Sequence, residues 1–229
     1  MDMYELGYVL LALLPIIVST AIMPGQNLIN ILLLKNPDQG ILKASAYVGG
    51  LTLMRLLQGF VFGLFLSGES TADQGGKSPI ASILLLVLGI LFLIAAYRKW
   101  SKEDDPDDPP PKWLAIIDSL TPWQAFGIGF GLLLVGAKFW VFTLSAIAII
   151  EEAQIGQTSS TVAYLVFVLL AESLMLLLIL TRIIFPDRSA SLLESVSAWL
   201  TRYNRPMVIL VSLVFGLIFF YQGASRLLS

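Results

Sequence analysis

Six apolar stretches, each about long enough to cross a lipid bilayer, constrain this chain more than any other feature. They run roughly over 6–34, 41–66, 78–97, 122–150, 161–185 and 206–227. Backbone amides and carbonyls inside hydrocarbon must be satisfied within the segment, so stretches of this length are expected as helices. Charged residues make up only 13% of the chain and apolar ones 57%. Soluble domains carry about a quarter charged residues, which excludes that class. The expected fold is therefore all-α: a polytopic membrane protein with six transmembrane helices, the first of them broken at Pro24-Gly25. Cysteine and histidine are both absent. Disulfides, thiolate nucleophiles, imidazole bases and Cys/His metal sites drop out, and no cofactor is expected.

The longest linker runs from Arg98 to Pro122 and holds an acidic, proline-rich run from Lys102 to Pro111. Such a run is too charged to enter a bilayer and too poor in apolar residues to fold alone. It divides the chain into a first three-helix half (1–97), a cytoplasmic linker (98–121) and a second three-helix half (122–229). The first residues contain no Lys or Arg, unlike a cleavable signal peptide, so the first span is expected to be retained. With six spans, ten basic residues fall on one side: Lys35, Lys43, Arg98, Lys99, Lys102, Lys112, Arg182, Arg188, Arg202 and Arg205. Only Lys77 and Arg226 fall on the other. The positive-inside rule then places both termini outside the cytoplasm of a cell (inner) membrane. Two linker segments read as helices lying on the cytoplasmic surface. One opens with a capping box at Ser191-Leu192-Leu193-Glu194 and continues through Val196, Trp199 and Leu200. The other is the stripe Trp113, Leu114, Ile116, Ile117 and Leu120.

Three charges lie deep inside spans: Arg55, Lys138 and Glu172. Each costs about 2.5–3.5 kcal/mol on insertion scales, so such residues face a bundle interior and pair. Two readings fit. Either one cation and Glu172 form a structural ion pair, or the three line a polar site midway across the membrane. Three charges cannot pair evenly, which favours the site. Met23-Pro24-Gly25-Gln26-Asn27, with Asn30 one turn on, should break or kink the first span. A plain kink is one outcome, and a polar cavity lined by Gln26, Asn27 and Asn30 is the other. Weak internal symmetry joins these features. Ala46-Tyr47-Val48 precedes Arg55 as Ala163-Tyr164-Leu165 precedes Glu172, at one common offset. Halves of three spans must run in opposite senses, the layout of an inverted-repeat transporter. The pairs Gly59/Gly63 and Gly127/Gly131 have the spacing of close helix contacts.

Several short motifs carry a family resemblance. They are Pro24-Gly25-Gln26-Asn27 with the apolar run to Leu34, Gly49-Gly50, the approach Leu120-Thr121-Pro122-Trp123-Gln124 through Phe130, and Ser197-Ala198-Trp199-Leu200. On these the chain resembles the GAP family (glycopeptidolipid- or sulfolipid-addressing proteins) within the lysine exporter (LysE) superfamily. The resemblance covers nearly the whole chain and implies export of small or lipid-linked molecules. Where that family carries Asn-Pro-Lys in the fourth span, this chain has Gly136-Ala137-Lys138. The proline is missing, so a less broken fourth span is expected.

The expected function is that of a transporter or exporter of a small or lipid-linked, anionic substrate, coupled to an ion or proton. Its substrate- and ion-binding residues would be Pro24, Gly25, Gln26, Asn27, Asn30, Arg55, Lys138 and Glu172. The alternative is a non-transporting subunit that scaffolds a larger membrane complex. An enzyme is not expected, since no span Ser or Thr has a neighbouring base except Glu172. No nucleotide-binding loop occurs in the sequence. The partners expected are the bilayer, the substrate, and either further copies of the chain or other subunits, with no nucleic acid.

Overall fold

The computed structural model describes residues 3–69, 79–101, 117 and 119–228. Among the described residues the secondary structure is helical, without strands. The helices are α1 (Met3–Ala21), α2 (Pro24–Lys35), α3 (Gly40–Glu69), α4 (Pro79–Ser101), α5 (Pro122–Val135), α6 (Ala137–Glu152), α7 (Gln157–Ala171), α8 (Ser173–Ile184) and α9 (Pro186–Leu228).

Three of the apolar stretches are interrupted, each for its own reason. Between α1 and α2 the break falls at Ile22-Met23, just ahead of the expected Pro24-Gly25. A residue before proline is pushed out of the helical region, and Met23 has φ −59° and ψ 118°. Pro24 then occupies the first turn of α2, where its missing N–H costs nothing. Gly25 follows inside that turn and is exposed.

The fourth span is broken despite lacking the family's proline, against the expectation. Gly136 adopts φ −78° and ψ 90° between α5 and α6, and the two helices bend by 69°. Glycine is about 1 kcal/mol worse than alanine within a helix. The Trp140 indole donates to the Leu134 carbonyl at 3.0 Å, satisfying an acceptor that the break exposes. The third break separates α7 from α8 at Glu172, with φ −103°, ψ 2° and a bend of 55°. No proline or glycine lies there.

By length and apolar composition, one described helix can cross a membrane, Tyr4–Ala21, or up to three if each bent pair is one span. That falls short of the six-span inverted repeat expected from hydropathy. Lys43, Thr52, Arg55 and Gln58 lower the apolar character of α3, and parts of other stretches lie outside the described residues.

The chain divides into two compact units. The first comprises Met1–Glu69 and Pro111–Ala198, the second Ser70–Pro110 and Trp199–Ser229, so each draws on both sides of the acidic linker. In the first unit α3 packs most extensively along α5, and α1 and α2 pack on α7 and α3 respectively. The α3–α5 contact is between backbones. A Cβ on Gly50 would strike the Phe126 carbonyl, and one on Gly129 the Tyr47 carbonyl. The expected glycine contacts fall elsewhere. Added Cβ atoms at Gly127 and Gly131 would meet nothing within 4 Å. Gly59 does sit in a tight contact, against the Tyr164 ring, whereas the surroundings of Gly63 lie outside the described residues. In the second unit, Gly89 of α4 meets the Phe220 backbone of α9, and Gly216 lies against Leu93. Arg205 donates to the Trp100 carbonyl at 2.9 Å.

The expected surface helix at Ser191 is part of α9, which already starts at Pro186. Ser191 does not cap it, because its hydroxyl donates back to the Arg188 carbonyl at 3.0 Å. The start is tied instead by Ser189 and Arg182, both donating to the Pro186 carbonyl, at 2.8 and 3.0 Å. Trp113, Leu114 and Ile116 lie outside the described residues; Ile117 and Leu120 are buried. The capping box that does form is at α5. Thr121 accepts from the Gln124 amide at 3.3 Å, and the Gln124 side chain accepts from the Thr121 amide at 2.8 Å.

Candidate functional site

A set of buried polar residues of the first unit lies on the α1–α2 and α7–α8 breaks and on α3 beside them. Arg55, on α3, is 0% exposed and Glu172, in the α7–α8 break, 2%. Their Nε and Oε1 atoms lie 3.4 Å apart, close enough for charge attraction but outside an aligned hydrogen bond. Glu172 is the residue before α8, and its side chain makes no capping bond to the amides of that helix. Its Oε2 accepts from the Thr52 hydroxyl at 2.5 Å. Thr52 Oγ1 also lies 2.9 Å from the Val48 carbonyl, so its single proton is shared between the carboxylate and the α3 backbone.

The tyrosines that mark the internal symmetry both donate to main-chain carbonyls. Tyr47 reaches the Gln26 carbonyl at 3.4 Å, and Tyr164 reaches the Arg55 carbonyl at 2.5 Å. The Tyr164 ring fills the space that a side chain at position 59 would need. Gly59 therefore lets α7 close on α3, two turns before Glu172.

The break residues divide between structural bonds and unspent ones. Asn27 donates to the Ala21 and Met23 carbonyls at 2.7 and 2.9 Å; the first lies at the end of α1, and the second also accepts from the Asn27 backbone amide. Asn30 donates to the Met175 carbonyl at 3.3 Å, joining α2 to α8 beside Glu172. Gln26 is fully buried, and neither atom of its amide has a hydrogen-bond partner among the described residues. The same holds for Gln58 and for both Nη atoms of Arg55.

Arg55 and Glu172 thus come together, with Asn30 bonded one turn beyond Glu172 and Gln26 tied through its carbonyl to Tyr47. Pro24 is buried and shapes the break, while Gly25 offers no buried group. Lys138 lies in the first turn of α6, and its side chain is outside the described residues. Sequence reasoning missed Thr52 and Gln58. Both are polar residues one turn either side of Arg55 within an apolar stretch, a signal that was available. It also missed the break at Glu172, which has no helix-breaking residue to announce it. Among the described residues no group of three or more His, Cys, Asp or Glu could hold a metal ion.

No curated protein and no solved structure matches this chain. One protein family does, SfLAP, described as Sap, sulfolipid-1-addressing protein, over residues 11–225. That match spans nearly the whole chain, both broken ends of the polar centre included, and the protein belongs to the SfLAP (sulfolipid-1-addressing protein) family.

Proposed function

We propose that this protein is a membrane translocator that moves a small or lipid-linked, anionic substrate through the polar centre around Arg55 and Glu172. The observation that carries this reading is the set of fully buried polar groups, Gln26, Gln58 and the Arg55 Nη atoms, without hydrogen-bond partners among the described residues. Buried polar groups in a purely structural core are satisfied. Groups that serve a passing substrate are left to it. Broken helices packed against α3 support the same reading, since irregular backbone inside a membrane belongs against protein or a wet cavity. So does the family's name, which joins it to a lipid. The six-span inverted repeat, kinship with the lysine exporter superfamily, and ion or proton coupling through Glu172 and Lys138 are part of this proposal. So is an orientation with both termini outside the cytoplasm.

A scaffolding subunit is the second reading. It is favoured by Asn27 and Asn30, whose amide nitrogens are spent on structural bonds. Water access separates the two. The chain has no native cysteine, so Gln26→Cys and Gln58→Cys each introduce a single thiol. Labelling of either thiol by a membrane-impermeant reagent from one side of intact vesicles is the expected result. Thiols dry from both sides in folded protein would refute translocation.

A further inference from the structure

We infer that Arg55 and Gln58 form an oxyanion seat in which Glu172 is the resident occupant, displaced when a substrate's anionic group arrives. This rests on the translocator reading and assigns the substrate group its partner. Arg55 approaches Glu172 through Nε, at 3.4 Å. The flat edge formed by Nη1 and Nη2, which matches two oxygens of a sulfate, phosphate or carboxylate, has no partner among the described residues. Gln58 stands one turn along the same face of α3, fully buried, with its amide equally unspent. The unspent inventory here is mainly N–H donors, which suits an anion better than a cation or a sugar.

Charge decides what happens to Glu172. The Arg55–Glu172 pair is neutral, and adding an anion beside it would leave a net negative charge buried at 0–2% exposure. Exchange with proton uptake avoids that: the anion takes the guanidinium, and Glu172 takes a proton from water and withdraws as a neutral carboxyl onto Thr52, whose hydroxyl already bonds its second oxygen. Loss of that proton and return of the carboxylate to Arg55 then expel the anion. On this scheme Glu172 competes with the substrate, so removing its charge should tighten anion binding while stopping turnover.

The test is anion binding to the purified full-length chain. Inorganic sulfate and inorganic phosphate are the free probes, read by thermal stabilisation against chloride at equal ionic strength. Phosphatidylcholine nanodiscs with and without phosphatidic acid are the lipid arm. Stabilisation by the free ions assigns the seat to a small anion, and stabilisation by phosphatidic acid alone assigns it to a lipid head group. Glu172→Gln should raise affinity for whichever probe binds by about tenfold, the equivalent of ~1.4 kcal/mol. Gln58→Leu, which leaves the ion pair intact, should lower it several-fold. No stabilisation by any probe, or unchanged affinity in both variants, overturns the seat. Failure here with labelled Gln26→Cys and Gln58→Cys thiols would leave the translocator reading standing. Tight anion binding with both thiols dry would remove that reading and keep the seat.

Discussion

Replacing Arg55 with methionine removes a guanidinium that is wholly buried and faces one carboxylate at 3.4 Å. At an effective dielectric of about 20, charges at that distance attract by roughly 5 kcal/mol, before the cost of desolvating them. Breaking a buried pair by removing one partner typically costs about 3–5 kcal/mol, because the other charge is stranded. The two single variants should not be equal. In Arg55→Met the Glu172 carboxyl keeps its Thr52 hydrogen bond and can take up a proton to become neutral. In Glu172→Met the guanidinium has no hydrogen-bonded partner among the described residues and cannot shed its charge. Glu172→Met should therefore be the worse, losing about 4–5 kcal/mol against about 3 for Arg55→Met. The double variant strands nothing and should return to within about 1 kcal/mol of wild type, as apolar replacements of buried pairs often do. The assay is thermal and denaturant unfolding of all four proteins in one detergent, with substrate movement measured in parallel. A double variant as unstable as Glu172→Met would refute the stranded-charge reasoning. A double variant that regains translocation as well as stability would refute the site.

Three shorter predictions follow from the packing and the bonds. Gly129→Ala should cost about 1–3 kcal/mol, because its Cβ would strike the Tyr47 carbonyl, which is backbone and cannot swing away. Gly127→Ala meets open space and should be neutral or stabilising by about 0.5–1 kcal/mol, so equal melting losses would refute the assigned faces of α5. Tyr164→Phe keeps the ring against Gly59 but loses the hydroxyl bond to Arg55; it should lower stability by about 0.6 kcal/mol, the average for a membrane hydrogen bond. Tyr164→Phe as damaging as Tyr164→Ala in the same unfolding assay would show that the ring contributes nothing. Reporter fusions at Asp105 and Ser189 should score cytoplasmic and a fusion at Thr71 external; the reverse pattern would overturn the orientation.

The helical class and the burial of Arg55 and Glu172 were legible because hydropathy is a sum over residues. A charge in an apolar run stands out whatever it touches. The break before Pro24 was legible because proline acts on its own backbone and that of its neighbour. The break at Glu172 was not, since its cause is tertiary: Thr52 and Arg55 of α3 hold the carboxylate, and Asn30 of α2 takes the Met175 carbonyl. Spacing alone misread the glycines, because Gly127 and Gly131 share a spacing with true contacts but face away from α3. The choice between Arg55 and Lys138 as the partner of Glu172 also lay beyond any pattern. It depends on where three separate helices come to rest.

The close backbone contacts at Gly50 and Gly129 have a mechanical meaning. Two helices meeting backbone to backbone have no side chains between them to change rotamer, and so no cushion that would let one slide on the other. α3 and α5 consequently behave as a single stiff beam, and Arg55 is fixed to it. Any rearrangement that opens the polar centre must come from the segments on either side of the α1–α2 and α7–α8 breaks swinging against that beam. In the proposed exchange Glu172, carried on one of those joints, is the group that travels. Arg55 is the one that stays.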